Sequence, residues 1–198
     1  YKNLPLNSDS LKNTPIVIIH LATYFSLNKN ENNLIKKANL DFGEQLLNYF
    51  NDVHVKKIIY TNSMYSFYKT DRERGSYYTK TKNIFSKYLE SYCSSRNIFF
   101  EEIYLDNTFG GVDKRKKILP LIINELQNEG ENPIKNPQKA INLMHVQDVI
   151  LRLYLASSTY KSNKSAFIKK NSILLYSIYD FLKHFKEERI IDESILKT

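Results

Sequence analysis

Residues Pro15 to Ala22, PIVIIHLA, form a short β-branched apolar run, which predicts a strand buried on both faces. Leu34, Ala38, Phe42, Leu46, Leu47 and Phe50 then recur at helical spacing and predict a helix over Asn33 to Phe50. The order repeats with Val55 to Thr61, VKKIIYT, as a second strand and Tyr77 to Ser95 as a long helix carrying Ile84, Phe85, Tyr88, Leu89 and Tyr92. A third unit follows: Ile98 to Leu105 as a strand, Asn107 to Gly111 as a turn, and Lys117 to Gln127 as a helix with Ile118, Leu121, Ile122 and Leu126 inward. Such alternation predicts an α/β fold, a parallel sheet with helices on both faces joined by right-handed crossovers. Ligand sites of that architecture lie at the carboxyl ends of the strands.

Beyond Gly130 the pattern changes. A Pro-containing loop (Asn132 to Gln138) leads to a short run, Ala140 to His145, and a helix from about Val146 to Ser157. A basic polar stretch, Thr159 to Lys164, and a last strand or helix near Ser172 to Lys186 complete the chain. This part predicts a small C-terminal subdomain interleaved with the last elements of the sheet. No internal repeat is present.

At 198 residues the chain can bury one substantial core without disulfides, and its 42% hydrophobic and 13% aromatic content is that of a globular protein. Cys93 is the single cysteine, which excludes an intrachain disulfide framework and a cysteine-based zinc site and points to a reducing cytoplasm. The longest apolar run, Ile16 to Ala22, is far too short to span a membrane, so no membrane partner is expected. A net charge of +8 raises the question of nucleic acid, but the lysines are scattered and the densest run, Lys114 to Lys117, is short. A solvated basic surface, suited to an anionic nucleotide-linked substrate, is the reading favoured over a nucleic-acid face. The four histidines make no ligand spacing, His145 reads as a packed strand-end residue, and no metal site is indicated.

The candidate chemistry lies in Tyr78 and Lys82, which at i and i+4 share one helix face. A nearby ammonium favours tyrosinate, so the phenol can exchange a proton with a carbonyl or hydroxyl during hydride transfer. Thr61, ending the strand IIYT, can hold the same substrate oxygen. Spacing alone does not select this pair, because Tyr65 with Lys69, Tyr160 with Lys164 and Tyr179 with Lys183 repeat it. Context does: only Tyr78 follows a strand ending in Thr, comes after a loop with Gly75 and opens a long helix.

Several strings, in order, then resemble the extended short-chain dehydrogenases/reductases, the NAD-dependent epimerase/dehydratase family. IVIIHLAT (Ile16 to Thr23) is similar to that family's D-V-x-H-L-A-A strand end, and NLDFGEQLL (Asn39 to Leu47) to its N-x-x-G-T-x-x-L-L helix. IIYTNSMYS stands where the family has a Ser/Thr-rich string before V-Y-G, with Ser66 replacing the glycine. LDNTFGG (Leu105 to Gly111) resembles the N-x-y-G-P turn, DKRKKILPLI (Asp113 to Ile122) the start of the substrate-side helix, and NLMHVQDV (Asn142 to Val149) the string D-F-x-H-V-D-D-V.

The resemblance implies a Rossmann-like NAD(P)-binding domain, partial here, over residues 1–130, and a substrate-side subdomain over 131–198. It implies NAD or NADP as cofactor, a nucleoside-diphosphate sugar as substrate, and a homodimer as an assembly. Matched by position, Thr61, Tyr78 and Lys82 would be catalytic. Leu21, Ala22, Thr23 and Asn39, with Tyr78 and Lys82, would meet the cofactor, and Asn62, Ser63 and Asn107 the substrate. A duller alternative stands beside the secondary assignments: strand-end core for Leu21 and Ala22, helix surface for Asn39, turn chemistry for Asn107.

Three departures qualify it. None of the five glycines (Gly43, Gly75, Gly110, Gly111, Gly130) builds the Gly-rich phosphate turn, and the chain starts at Tyr1. The expectation is therefore an N-terminally truncated fold: a fragment of a longer protein, or a truncated non-catalytic relative serving as a binding or assembly module. Asn62 and Ser63 stand where a sugar 4,6-dehydratase carries Asp and Glu, which disfavours dehydration. Ile141 stands where an arginine often meets the substrate diphosphate. The expected reaction is 4-keto reduction or epimerisation.

Overall fold

Four strands build the sheet that the alternating pattern predicts. In a computed structural model describing residues 11, 14–67, 75–110, 118–127, 140–167, 173–174, 178 and 184, they are β1 (Ile16–His20), β2 (Val55–Ser63), β3 (Phe99–Leu105) and β7 (Asn163–Phe167). They lie in the order β1-β2-β3-β7, and every pairing is parallel. The chain divides into two compact units, one of Tyr1–Leu105 with Leu151–Ile168, the other of Asp106–Ile150 with Lys169–Thr198. Each unit is thus built from two separate segments of the chain, and the first division falls after β3.

In the first unit β1 leads to α1 (Asn32–Lys36), a π-helical turn (Lys37–Asp41) and α2 (Phe42–Tyr49), where the sequence predicts one uninterrupted helix. A π turn is a rare insertion that concentrates at functional positions, and this one holds the buried Asn39. Gly43 follows, packed against α3 (Tyr77–Ser95): a Cβ there would collide with Cζ of the Phe85 ring. The predicted bounds of α3 hold. Ser76 caps its start by accepting a hydrogen bond from the Thr79 amide at 3.2 Å, and Asn97, at a φ of 55°, turns the chain into β3.

Ile18, Ile58, Tyr60 and Phe100 from the strands meet Leu47, Phe50, Phe85, Leu89 and Cys93 in one apolar cluster. The opposite sheet face carries Lys57 and Glu101, which meet α5 (Val146–Ser157), so helices cover both faces as expected. Ile19, predicted to be buried, is 40% exposed. A second difference is β7, which replaces part of the stretch read as basic and polar: a free parallel edge recruits backbone whatever its side chains.

The second unit contains β4 (Asn107–Phe109), α4 (Ile118–Gln127), β5 (Ala140–Ile141), β6 (Leu143–His145) and β8 (Ile173–Leu174). β4 pairs in parallel with β6, and β5 antiparallel with β8. Asn107 to Gly111 is thus a strand over its first three residues, not a turn, because pairing with β6 overrides local turn chemistry. Gly110, at a φ of +93°, packs against the His145 ring where a side chain would collide. Lys114 to Lys117, the loop Asn132 to Gln138 and most of Ser172 to Lys186 lie outside the described residues. Among the described residues no helix is long and apolar enough to cross a membrane, and no cluster of His, Cys, Asp and Glu could hold a metal.

Candidate active site

The carboxyl end of β2 and the first turns of α3 bring Thr61, Tyr78 and Lys82 together, all buried. The Lys82 Nζ donates to the Thr61 carbonyl oxygen at 2.5 Å and lies 4.2 Å from the centre of the Tyr60 ring, while the Tyr60 hydroxyl donates to the Lys82 carbonyl at 3.3 Å. The Thr61 hydroxyl donates to the His20 carbonyl at 3.4 Å, which ties β2 to the end of β1. Burial pushes the Lys82 ammonium down to about 7, against the pull of the Glu102 carboxylate. Of its three N–H groups, one meets an acceptor among the described residues.

Beneath Lys82 the register sets a row across three strands, His20 beside Tyr60 beside Glu102. His20 is packed among the rings of Phe42, Tyr60 and Phe85, and neither ring nitrogen has a partner among the described residues. Burial, reinforced by the charge of Lys82, lowers its pKa to about 4. Glu102 accepts from Asn62 Nδ2 at 2.7 Å and from the Tyr104 hydroxyl at 2.9 Å. Asn62 Nδ2 also donates to Asn83 Oδ1 at 3.2 Å, which accepts from the Ser66 hydroxyl at 2.9 Å. Asn62 and Ser63, expected to meet substrate, therefore have internal partners: Asn62 Oδ1 accepts from the Ser63 amide at 2.7 Å, and the Ser63 hydroxyl accepts from the Tyr65 amide at 3.2 Å.

Asn39 is bonded to the loop after β1 and to Thr81 of α3. Its Oδ1 accepts from the Thr23 hydroxyl at 3.0 Å and the Tyr24 amide at 2.8 Å; its Nδ2 donates to Thr81 Oγ1 at 3.1 Å. The Thr81 hydroxyl in turn donates to the Tyr78 carbonyl at 2.8 Å. One asparagine thus clamps the loop after β1 to the helical turn that carries the Tyr–Lys pair. Leu21, Ala22 and Thr23 are exposed at the carboxyl end of β1. From that loop Phe25 reaches Tyr78, ring centres 5.0 Å apart, and Tyr65 lies 5.8 Å from Phe25. Asn107 belongs to the second unit, where it donates to Asp106 Oδ1 at 2.8 Å and to the Asn142 carbonyl at 3.3 Å.

Of the other Tyr/Lys spacings, Tyr160 sits in irregular backbone after α5 and Tyr65 in a short 3-10 turn, while Lys69, Tyr179 and Lys183 lie outside the described residues. His20, Tyr60 and Glu102 were not singled out by sequence reasoning. The available signal was FFEEIYL, where two glutamates interrupt an otherwise apolar strand, since a buried carboxylate requires a partner.

A parallel sheet covered by helices, with this pair opening the helix after the second strand, defines a doubly wound α/β protein. A family model described as NAD dependent epimerase/dehydratase matches residues 6–168, and the chain belongs to that family. No curated protein sequence matched. Among solved structures, a UDP-N-acetylglucosamine 4-epimerase from Methanobrevibacter ruminantium M1 in complex with UDP-N-acetylmuramic acid superimposes with a TM-score of 0.79 at 15% identity, covering 94% of this chain and 66% of that one. A UDP-glucuronic acid 4-epimerase from Bacillus cereus in complex with NAD gives 0.77 at 14% identity, with 93% and 63% covered. DesIV, a dTDP-glucose 4,6-dehydratase from Streptomyces venezuelae with NAD and TYD bound, gives 0.74 at 15% identity, with 95% and 62% covered. The chain spans less than two thirds of the length of each, and at these identities the likeness is one of fold.

Proposed function

We propose that the chain carries the acid–base end of an NAD(P)-dependent oxidoreductase or epimerase that reduces or epimerises the 4-position of a nucleoside-diphosphate sugar. The observation that carries this reading is the assembly of Thr61, Tyr78 and Lys82, with Lys82 bonded to the Thr61 carbonyl. The donor set fits the nicotinamide ribose of NAD(P), because Lys82 has N–H groups that meet no acceptor among the described residues and can serve hydroxyl acceptors. None of the described glycines forms a strand-to-helix phosphate turn: Gly43 is in α2, Gly75 precedes α3 and Gly110 follows β4.

When bound, the cofactor supplies hydride chemistry. Tyr78 exchanges the proton of the reacting oxygen, Thr61 holds that oxygen once its hydroxyl turns from the His20 carbonyl, and Lys82 supplies the positive charge that favours a tyrosinate. Phe25 and Tyr65 pack edge-on against the Tyr78 ring and fix its orientation. Asn62, bonded to Glu102 and Asn83, is not a general acid, which favours reduction or epimerisation over dehydration.

The test is NAD(P)H oxidation by the intact protein with CDP- and dTDP-4-keto sugars. Tyr78→Phe is expected to lower turnover by about 10² to 10⁴-fold. Turnover unchanged in that variant, or none in the wild type, would sink the reading. A reductase consumes NADPH stoichiometrically, whereas an epimerase retains and recycles its NAD.

A further inference from the structure

We infer that Glu102 is a positioning residue for the acid–base pair, the buried counter-charge that favours the protonated form of Lys82 across the face of Tyr60. The assignment rests on reading Tyr78 and Lys82 as that pair.

The sheet register makes the case. Tyr60 is the middle member of the row, with His20 beside it on β1 and Glu102 beside it on β3. Lys82 lies over the Tyr60 ring, its ammonium met by a carbonyl oxygen and an aromatic face. Neither group is an anion. Buried charge without a counter-ion is costly enough that the group normally surrenders its proton. The titratable groups that act on Lys82 are His20 from β1, Tyr60 from β2 and Glu102 from β3. His20 is an imidazole held neutral by burial and Tyr60 is a phenol, so Glu102 is the carboxylate in the set.

Its two oxygens are fixed by donors from different elements, Asn62 on β2 and Tyr104 on β3. Asn62 is the neighbour of Thr61 and is bonded to Asn83, the neighbour of Lys82. The same hydrogen-bond set therefore orients the carboxylate and locks the backbone segments that carry Thr61 and Lys82. The net effect is opposed forces: burial strips the proton from Lys82 and Glu102 restores it.

The experiment is a carbon-13 titration of lysine side chains in the intact protein, with the Lys82 signal assigned by its loss in Lys82→Met. Glu102→Gln keeps the shape and removes the charge, and is expected to move the Lys82 midpoint down by about one pH unit. Tyr104→Phe, which removes one hydrogen bond and no charge, is expected to move it far less. An unchanged midpoint in folded Glu102→Gln overturns the assignment, as does an equal shift in Tyr104→Phe. Should Glu102→Gln fail to fold, the wild-type Glu102 carboxyl carbon decides: a step at the Lys82 midpoint supports the coupling and its absence refutes it. Loss of the proposed turnover in the wild type would refute the functional reading while leaving this titration intact.

Discussion

Among the described residues of the first unit two lysines are buried, one from β2 and one from α3, against opposite faces of β2, and their surroundings differ. Lys57 is wholly inside the protein, and its Nζ donates to Glu101 Oε2 at 2.6 Å, the Ala156 carbonyl at 2.7 Å and the Thr159 carbonyl at 2.8 Å. Three donors meet three acceptors, two of them carbonyls at and just past the end of α5, where the helix dipole favours a cation. Arg152 from the same helix also bonds Glu101. Lys82, equally hidden, has one carbonyl and one ring face. A buried ammonium with every N–H satisfied by anions and carbonyls is a structural pin; one left partly unsatisfied in a low-dielectric site is held near the point of losing its proton. The sheet thus has a fully bonded lysine against one face and an ammonium of adjustable charge against the other.

The comparison breaks first at Lys57. Lys57→Met strips Glu101 of one of its two cations and removes the ammonium donor to the Ala156 and Thr159 carbonyls, and is expected to cost about 4 kcal/mol in urea unfolding. A loss under about 1 kcal/mol would show that Arg152 alone suffices and that the pin is incidental.

Gly43→Ala probes the wall beside Lys82. The added methyl displaces Phe85, whose ring contacts both His20 and Tyr60 at 5.2 and 5.5 Å between centres. An expected loss of about 2 kcal/mol comes from overpacking. The variant melting at the wild-type temperature would mean that α2 and α3 can separate freely there.

The pH dependence sharpens the contrast most directly. The folded value for Lys82, about 7, lies below the ordinary 10.5, so between them the unfolded chain keeps a proton that the folded chain has released. Stability therefore rises with pH through that window, by about 1.4 kcal/mol per pH unit, and the burial penalty is felt in full below pH 7. Subtracting the unfolding profile of Lys82→Met from that of the wild type should reveal that slope. A flat difference from pH 7 to 10 would place Lys82 with Lys57 as a satisfied cation.

Much of this site is legible along the chain. The Thr61, Tyr78, Lys82 series follows from position within ordered motifs, and the bounds of α3 follow from apolar spacing and a serine cap. Asn39 is visible as a motif residue, but its action through Thr81 is not, because the π turn that buries it leaves no periodic signature in an apolar pattern. Asn62 and Ser63 show what motif position leaves out: it assigns them to substrate and says nothing of the internal partners that packing gives them. The β4 and β7 segments were misjudged for a single reason, since pairing with a distant strand decides their conformation.

What the sequence by itself determined is the alternation of strands and helices, the family, and the side chains available for proton transfer. Those are local or ordered properties, carried by spacing along one chain. The tertiary structure alone decided which polar residues share a low-dielectric face: His20, Tyr60 and Glu102 come from strands separated by about forty residues at each step, and only parallel register places them in one row under Lys82. The physical reason is that charge interactions depend on distance through the fold and on exclusion of water, neither of which is encoded in sequence spacing.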